Sequence, residues 1–175
     1  LGGGYGILAY YVLKNLKKFT YIDFDLPETL TLASYYLSKS FPQKKIFFYG
    51  EHSFDQISQK DFELIFLPPW EIESLDSNSI DLAINKNSLG EMDSDAAKNY
   101  LYHITRTSKY FFSMNHEHIR NYFSNGKKSL LNSEYNLDKK FKILIKYPEL
   151  GHLIGENNKL DYHGSDILFY IYEKK

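Results

Sequence analysis

The sequence predicts an α/β fold built on a largely parallel sheet, and three observations predict it. Short apolar runs of strand length alternate with segments whose apolar residues recur at helical spacing. A run of glycines, "LGGGYG", stands immediately before the first helical segment. The last two apolar runs follow one another with no clear helix between them, which predicts an antiparallel pair at one edge of the sheet.

The elements follow in order. "ILAYYVLKNLKKF" reads as a helix, with Leu8, Val12, Leu16 and Phe19 on one face by i, i+4 spacing. "YIDFDL" is a strand. Pro27 then opens a second helix, where its missing N–H is not needed, and Leu30, Ala33, Leu37 and Phe41 form its stripe. "KIFFYG" at 45–50 is a strand, and so is 62–67, which two prolines stop. A further strand covers about 81–85 and dissolves into polar residues at its carboxyl end. "DSDAAKNYLYHITRTS" is a helix, capped by Asp93 or Ser94, with Ala97, Leu101 and Ile104 buried. "KYFFSMN" is a strand, and "HEHIRNYFSNG" reads as a short helix ended by Gly126. "FKILIKY" and "SDILFYIY" are the two late strands, separated by a glycine-punctuated loop. Phe47, Phe48, Phe111 and Phe112 fall in strands and are expected in the core.

The 175 residues match one ordinary domain, and no linker, repeat or low-complexity tract divides them. A net charge of −1 argues against a protein that coats nucleic acid, as does the presence of only two arginines, Arg106 and Arg120. Without cysteine there is no disulfide, thiolate zinc site or cysteine nucleophile. No signal peptide and no apolar run long enough to span a bilayer is found, so the expectation is a cytoplasmic protein. The absence of an initiator Met suggests a fragment that begins in mid-element.

In an open α/β sheet, ligands bind beyond the carboxyl ends of the strands. A glycine-rich turn from strand to helix lets backbone approach a ligand, with free helix N–H groups facing it. Gly2-x-Gly4-x-Gly6 suits this role. The shifted pattern Gly4-x-Gly6-x-x-Ala9 matches a dinucleotide fingerprint, so the glycines alone leave the nucleoside ligand open. Asp25 ends the next strand about twenty residues on, where an acid can accept hydrogen bonds from ribose hydroxyls. Asp23 lies two residues earlier on the same side of the strand, farther from its carboxyl end. Asp25 could also cap the helix that begins at Pro27, and the two roles can coexist.

"GGGYG", "YIDFDLPETLTLASYYL", "DLAINKNSLGEM" and "YFFSMN" together resemble the Rossmann-like class I methyltransferases that use S-adenosylmethionine. More narrowly, they are similar to the sugar O-methyltransferases of bacteria, which carry a like glycine loop, a "DLPE" segment and an "N-x-x-S-x-x-E-M" stretch. Here that last pattern is Asn85, Ser88, Glu91 and Met92. The resemblance covers nearly the whole chain. It implies one methyltransferase domain over 1–175, N-terminally incomplete. Its fold would be a three-layer sandwich with a mostly parallel sheet, an antiparallel C-terminal edge strand and a first strand truncated upstream of Leu1. It implies that Gly2, Gly4 and Gly6, with Gly3 and Tyr5 in the same turn, wrap S-adenosyl-L-methionine. Asp25, followed by Leu26, would hold the ribose, and Asn85 and its neighbours would lie beside the cofactor facing the acceptor.

Methyl transfer to a sugar hydroxyl calls for a base. The catalytic candidates are His116, after the "YFFSMN" strand, and Glu91, after the Asn85 strand. His152 and His163, in the late loop, come behind them. His116 and His118 are two apart, a poor chelate on a helix, so no metal is expected. "FLPPW" invites comparison with amino-group methyltransferases of nucleic acid, but Leu67 stands where their Asp or Asn must accept a hydrogen bond. The expected role of Pro68, Pro69 and Trp70 is a loop edge near the adenine, or packing. The expected partners are a small-molecule or glycan acceptor and a second copy in a homodimer, with no nucleic acid. A nicotinamide-dependent oxidoreductase and a non-catalytic interaction domain are the competing readings.

Overall fold

The computed structural model describes residues 1–51, 62–149 and 166–175. They fall into two compact units, Leu1–Ser74 and Leu75–Lys175.

The first unit holds α1 (Ile7–Asn15), β1 (Tyr21–Phe24), α2 (Pro27–Ser40), β2 (Ile46–Phe48) and β3 (Leu64–Leu67). Its strands are parallel and ordered β1-β3-β2, with Asp23 opposite Phe66 and Phe48 opposite the same residue. All four residues of β3 are buried, as a central parallel strand requires. Helix α2 buries the stripe its sequence predicts, Leu30, Ala33 and Leu37, with Phe41 just beyond. These residues pack with Ala9, Leu13, Leu64 and Phe66 into one core.

Helix α1 is shorter than its pattern suggests and uses a different face. Leu8 and Leu16 are exposed, while Ala9 and Leu13 are buried. The reason lies at its start: a Cβ on Gly6 would stand 2.9 Å from Leu37 of α2. Gly6 therefore sets the contact face, and positions three and seven residues later continue it. Leu16 leaves the helix in an extended conformation.

The second unit holds β4 (Ile80–Lys86), α3 (Ser94–Thr107), β5 (Ser108–His116), β6 (Phe141–Pro148) and β7 (Ile167–Lys174). The order is β4-β5-β7-β6. β4 and β5 are parallel, and β7 runs antiparallel to both of its neighbours, with a bulge in β6 between Ile143 and Ile145. The antiparallel strand thus lies inside the sheet and β6 forms its edge. Asp93 caps α3 by accepting hydrogen bonds from the Asp95 and Ala96 amides, and Ala97, Leu101 and Ile104 are buried. Phe47 and Phe111 are buried, while Phe48 stacks on Phe66 and Phe112 on Phe169.

The segment 116–126 is not a helix. His116 still belongs to β5, and the chain beyond it is drawn out by side-chain contacts that compete with helical hydrogen bonds. Asp166 accepts from the amides of His118 and Ile119, the Asn121 side chain donates to the Gly90 carbonyl, and Tyr122 bridges Lys128. The Arg120 guanidinium forks onto Glu134 and also donates to the Ser129 carbonyl. This pairing holds the Glu134 carboxyl down at about 2.

Candidate functional site

In the first unit the glycines form a tight turn at the carboxyl end of β1. Gly2, Gly4 and Gly6 have φ of 70°, 58° and 85°, a region that L side chains avoid. The Gly2 amide donates to the Phe24 carbonyl over 2.7 Å. Asp25 clamps the turn: its Oδ2 accepts from Gly4 N–H and its Oδ1 from Leu26 N–H, each at 2.7 Å. A carboxylate has about four acceptor positions, so each oxygen keeps one for a ligand. A Cβ on Gly4 would meet nothing within 4 Å among the described residues. The turn therefore opens outward there, and Tyr5 and Leu26 beside it are exposed. Asp25 does not cap α2. Leu26 occupies the cap position, and its side chain makes no capping hydrogen bond.

Asp23 has a different place. It is buried beneath Gly3, where a Cβ would come within 2.0 Å of its Oδ1. Any side chain there would force that carboxylate to move. Among the described residues neither oxygen of Asp23 has a hydrogen-bond partner, and its carboxyl is pushed up to about 6. Burial is the main cause. The Leu1 amino group works against it, Asp25 adds to it, and the nearby Gly3 N–H lowers it without reaching hydrogen-bond geometry.

In the second unit, Asn85 is fully buried at the carboxyl end of β4. Its amide nitrogen donates to Ser88 Oγ at 2.5 Å, and its oxygen accepts from Leu89 N–H and Asn115 Nδ2. Asn115 also donates to Ser113 Oγ and accepts from Gly90 N–H. Ser113 Oγ donates to Asn132 Oδ1, and Asn132 Nδ2 donates to the Leu168 carbonyl. The Asn and Ser of the "N-x-x-S-x-x-E-M" stretch thus brace the 3₁₀ turn Leu89–Glu91 from below. Glu91 itself is exposed at the end of that turn.

His116 ends β5 with about 30% of its side chain accessible. Its Nδ1 lies 2.5 Å from Asp166 Oδ2. Asp166 in turn is fixed through Oδ1 by the His118 and Ile119 amides, at 2.7 and 3.0 Å. Gly90 leaves room for the imidazole, since a Cβ there would stand 3.3 Å from His116 Cδ2. Glu117, the next residue, is buried and accepts hydrogen bonds from Lys146 and Tyr170.

Asp166, Asn115 and Asn132 escape sequence reasoning. Ser113 and Asn115 leave one trace, polar residues at alternate positions in an apolar strand. Asp166 leaves none, because its partner lies 50 residues away. His152 and His163 lie outside the described residues. Leu67 is fully buried, and Trp70 sits on an exposed 3₁₀ turn against Tyr49. Among the described residues no helix is long and apolar enough to cross a membrane.

Turn, acid, strand order and antiparallel seventh strand decide the architecture. The fold is that of the Rossmann-like methyltransferases. The mitomycin 7-O-methyltransferase MmcR superposes with a TM-score of 0.61 at 14% identity, over 99% of this chain and 47% of its own. The chain thus spans less than half of that protein. A TehB-like S-adenosylmethionine-dependent methyltransferase from Corynebacterium glutamicum gives 0.57 at 15% identity, over 99% of this chain and 77% of its own. The [4+2]-cyclase SpnF gives 0.63 at 15%, over 99% and 73%. At such identities the likeness is one of fold, and SpnF is named for a reaction other than methyl transfer. No family model and no curated protein matches the chain.

Proposed function

We propose that this chain is one S-adenosylmethionine-dependent methyltransferase domain acting on a hydroxyl, of a sugar in a glycan or glycoconjugate. One observation carries the cofactor half. The left-handed glycine turn is clamped to Asp25 at the end of β1, with open space at Gly4 and acceptor positions left on the carboxylate. These residues fit a ligand that brings a ribose diol to an acid and a chain to exposed backbone. Gly2–Gly6 and Asp25 would hold it, with Leu26 alongside. When bound, the cofactor supplies an activated methyl group on a sulfonium carbon.

The protein's own share of the work is binding, alignment and proton removal. His116 and Glu91 are the proposed proton acceptors for the acceptor hydroxyl. Asn85 serves by fixing the turn that carries Glu91, its own amide being spent inside the protein. The sugar acceptor rests on the sequence resemblance, and MmcR supports an oxygen acceptor only by fold.

The test is calorimetric titration with S-adenosylmethionine, S-adenosylhomocysteine and NAD. Micromolar binding of both adenosyl ligands, weakened at least about tenfold by Asp25→Ala, is expected, since the substitution removes a charge-assisted hydrogen bond. Binding of NAD alone would transfer the glycine turn to a dinucleotide, in line with its shifted pattern ending at Ala9.

A further inference from the structure

We infer that Asp166 is a positioning residue that fixes His116 in the Nδ1–H tautomer and so makes its Nε2 the proton acceptor. The inference deepens the proposed function and rests on it for the identity of the proton donor. The geometry itself stands apart from that reading.

Three features of the second unit support the assignment. The contact between His116 Nδ1 and Asp166 Oδ2 is 2.5 Å, a short hydrogen bond between the ring and a carboxylate. A carboxylate accepts and does not donate, so the hydrogen sits on Nδ1 and the lone pair of the ring is left on Nε2. Asp166 is not free to turn away, because its other oxygen receives the amides of His118 and Ile119 and its own carbonyl receives Glu117 N–H at 2.8 Å. The imidazole is partly accessible, while the carboxylate that orients it is mostly covered, with 14% of its side chain exposed. Gly90 lies against the Cδ2 edge and keeps that side of the ring clear of a side chain.

This arrangement separates the two candidate bases. His116 has a partner that fixes its orientation and stabilises the imidazolium formed when it takes a proton. Glu91 lies exposed on its turn. In the transfer, the acceptor O–H bond breaks and its proton goes to His116 Nε2. The cofactor, when bound, would supply the methyl group to that oxygen, its sulfur keeping the electron pair of the broken S–C bond.

The test is nitrogen-15 NMR of the intact chain labelled at histidine, at a pH where the imidazole is neutral, with the His116 signals assigned by their loss in His116→Gln. The expected spectrum shows a protonated, pyrrole-type Nδ1 and a bare, pyridine-type Nε2. Asp166→Asn preserves an oxygen for the two backbone amides and turns its NH₂ toward Nδ1. It is therefore expected to reverse the tautomer, placing the hydrogen on Nε2. With a methylated acceptor in hand, the same variant lowers kcat while leaving affinity for S-adenosylhomocysteine unchanged. A wild-type ring protonated on Nε2, or a tautomer unaltered in Asp166→Asn, overturns the assignment, and the wild-type spectrum decides even if the variant does not fold. Failure of the chain to bind adenosyl ligands would remove the methyltransferase reading and leave the tautomer result standing.

Discussion

Replacing Asp23 with Asn removes an ionisable group from beneath the glycine turn, and its effect can be worked from the structure. Asp23 is 1% exposed, and neither of its oxygens finds a hydrogen-bond partner among the described residues. Its carboxyl titrates at about 6, against an ordinary 3.8. A raised value means that the folded state holds the proton more tightly than the unfolded chain. The stability tied to this group is therefore intact below about pH 4 and is lost as the pH rises through about 6. Across that window the wild type loses about 3 kcal/mol that Asp23→Asn, with nothing to titrate there, retains. The buried amide of the variant has its own penalty, about 1 to 3 kcal/mol, but that offset does not change with pH. Urea unfolding of both proteins from about pH 4 to pH 8 isolates the difference in slope. The variant should gain on the wild type by about 3 kcal/mol, nearly all of it before pH 7. Parallel stability curves would refute the placement of an unpartnered carboxyl beneath Gly3.

Other substitutions probe the remaining elements of the site. Gly3→Ala puts a Cβ 2.0 Å from Asp23 Oδ1 and should destabilise the first unit by about 1 to 3 kcal/mol. Adding Asp23→Ala should recover part of that loss in a double-mutant cycle read by thermal unfolding. Asn115→Ala strands Asn85, Ser113 and the Gly90 amide in a buried network and should cost about 3 kcal/mol, seen as a lower Tm. Arg120→Gln frees Glu134, whose ion pair otherwise survives until the pH falls from the ordinary carboxylate range toward about 2. Because Glu134 is 38% exposed, solvent screening keeps the loss under about 1 kcal/mol at neutral pH, while hydrogen exchange over 117–131 should quicken.

The sequence by itself determined the alternation of strands and helices, the buried stripes of α2 and α3, the Asp93 cap and the antiparallel late strands. Each of these is written in local periodicity or in a residue type whose chemistry acts within a few positions. Local pattern also located the glycine turn and Asp25, because turn and acid lie on consecutive elements joined by one short helix. Tertiary structure decided what local pattern could not. The buried face of α1 is set by the contact of Gly6 with Leu37, and that contact overrides the Leu8, Leu16 pattern. The segment after His116 has a helical composition, but the Asp166 carboxylate and the Arg120–Glu134 pair claim its donors and hold it extended. Asp23 and Asp25 look alike two residues apart. Pleating carries both toward the glycine turn, and only packing shows that one is sealed under Gly3 while the other clamps Gly4. Asp166 shows the same limit. Its role depends on β7 running antiparallel beside β5, which brings residue 166 against residue 116, and a hydrogen bond across 50 positions leaves no period in a sequence.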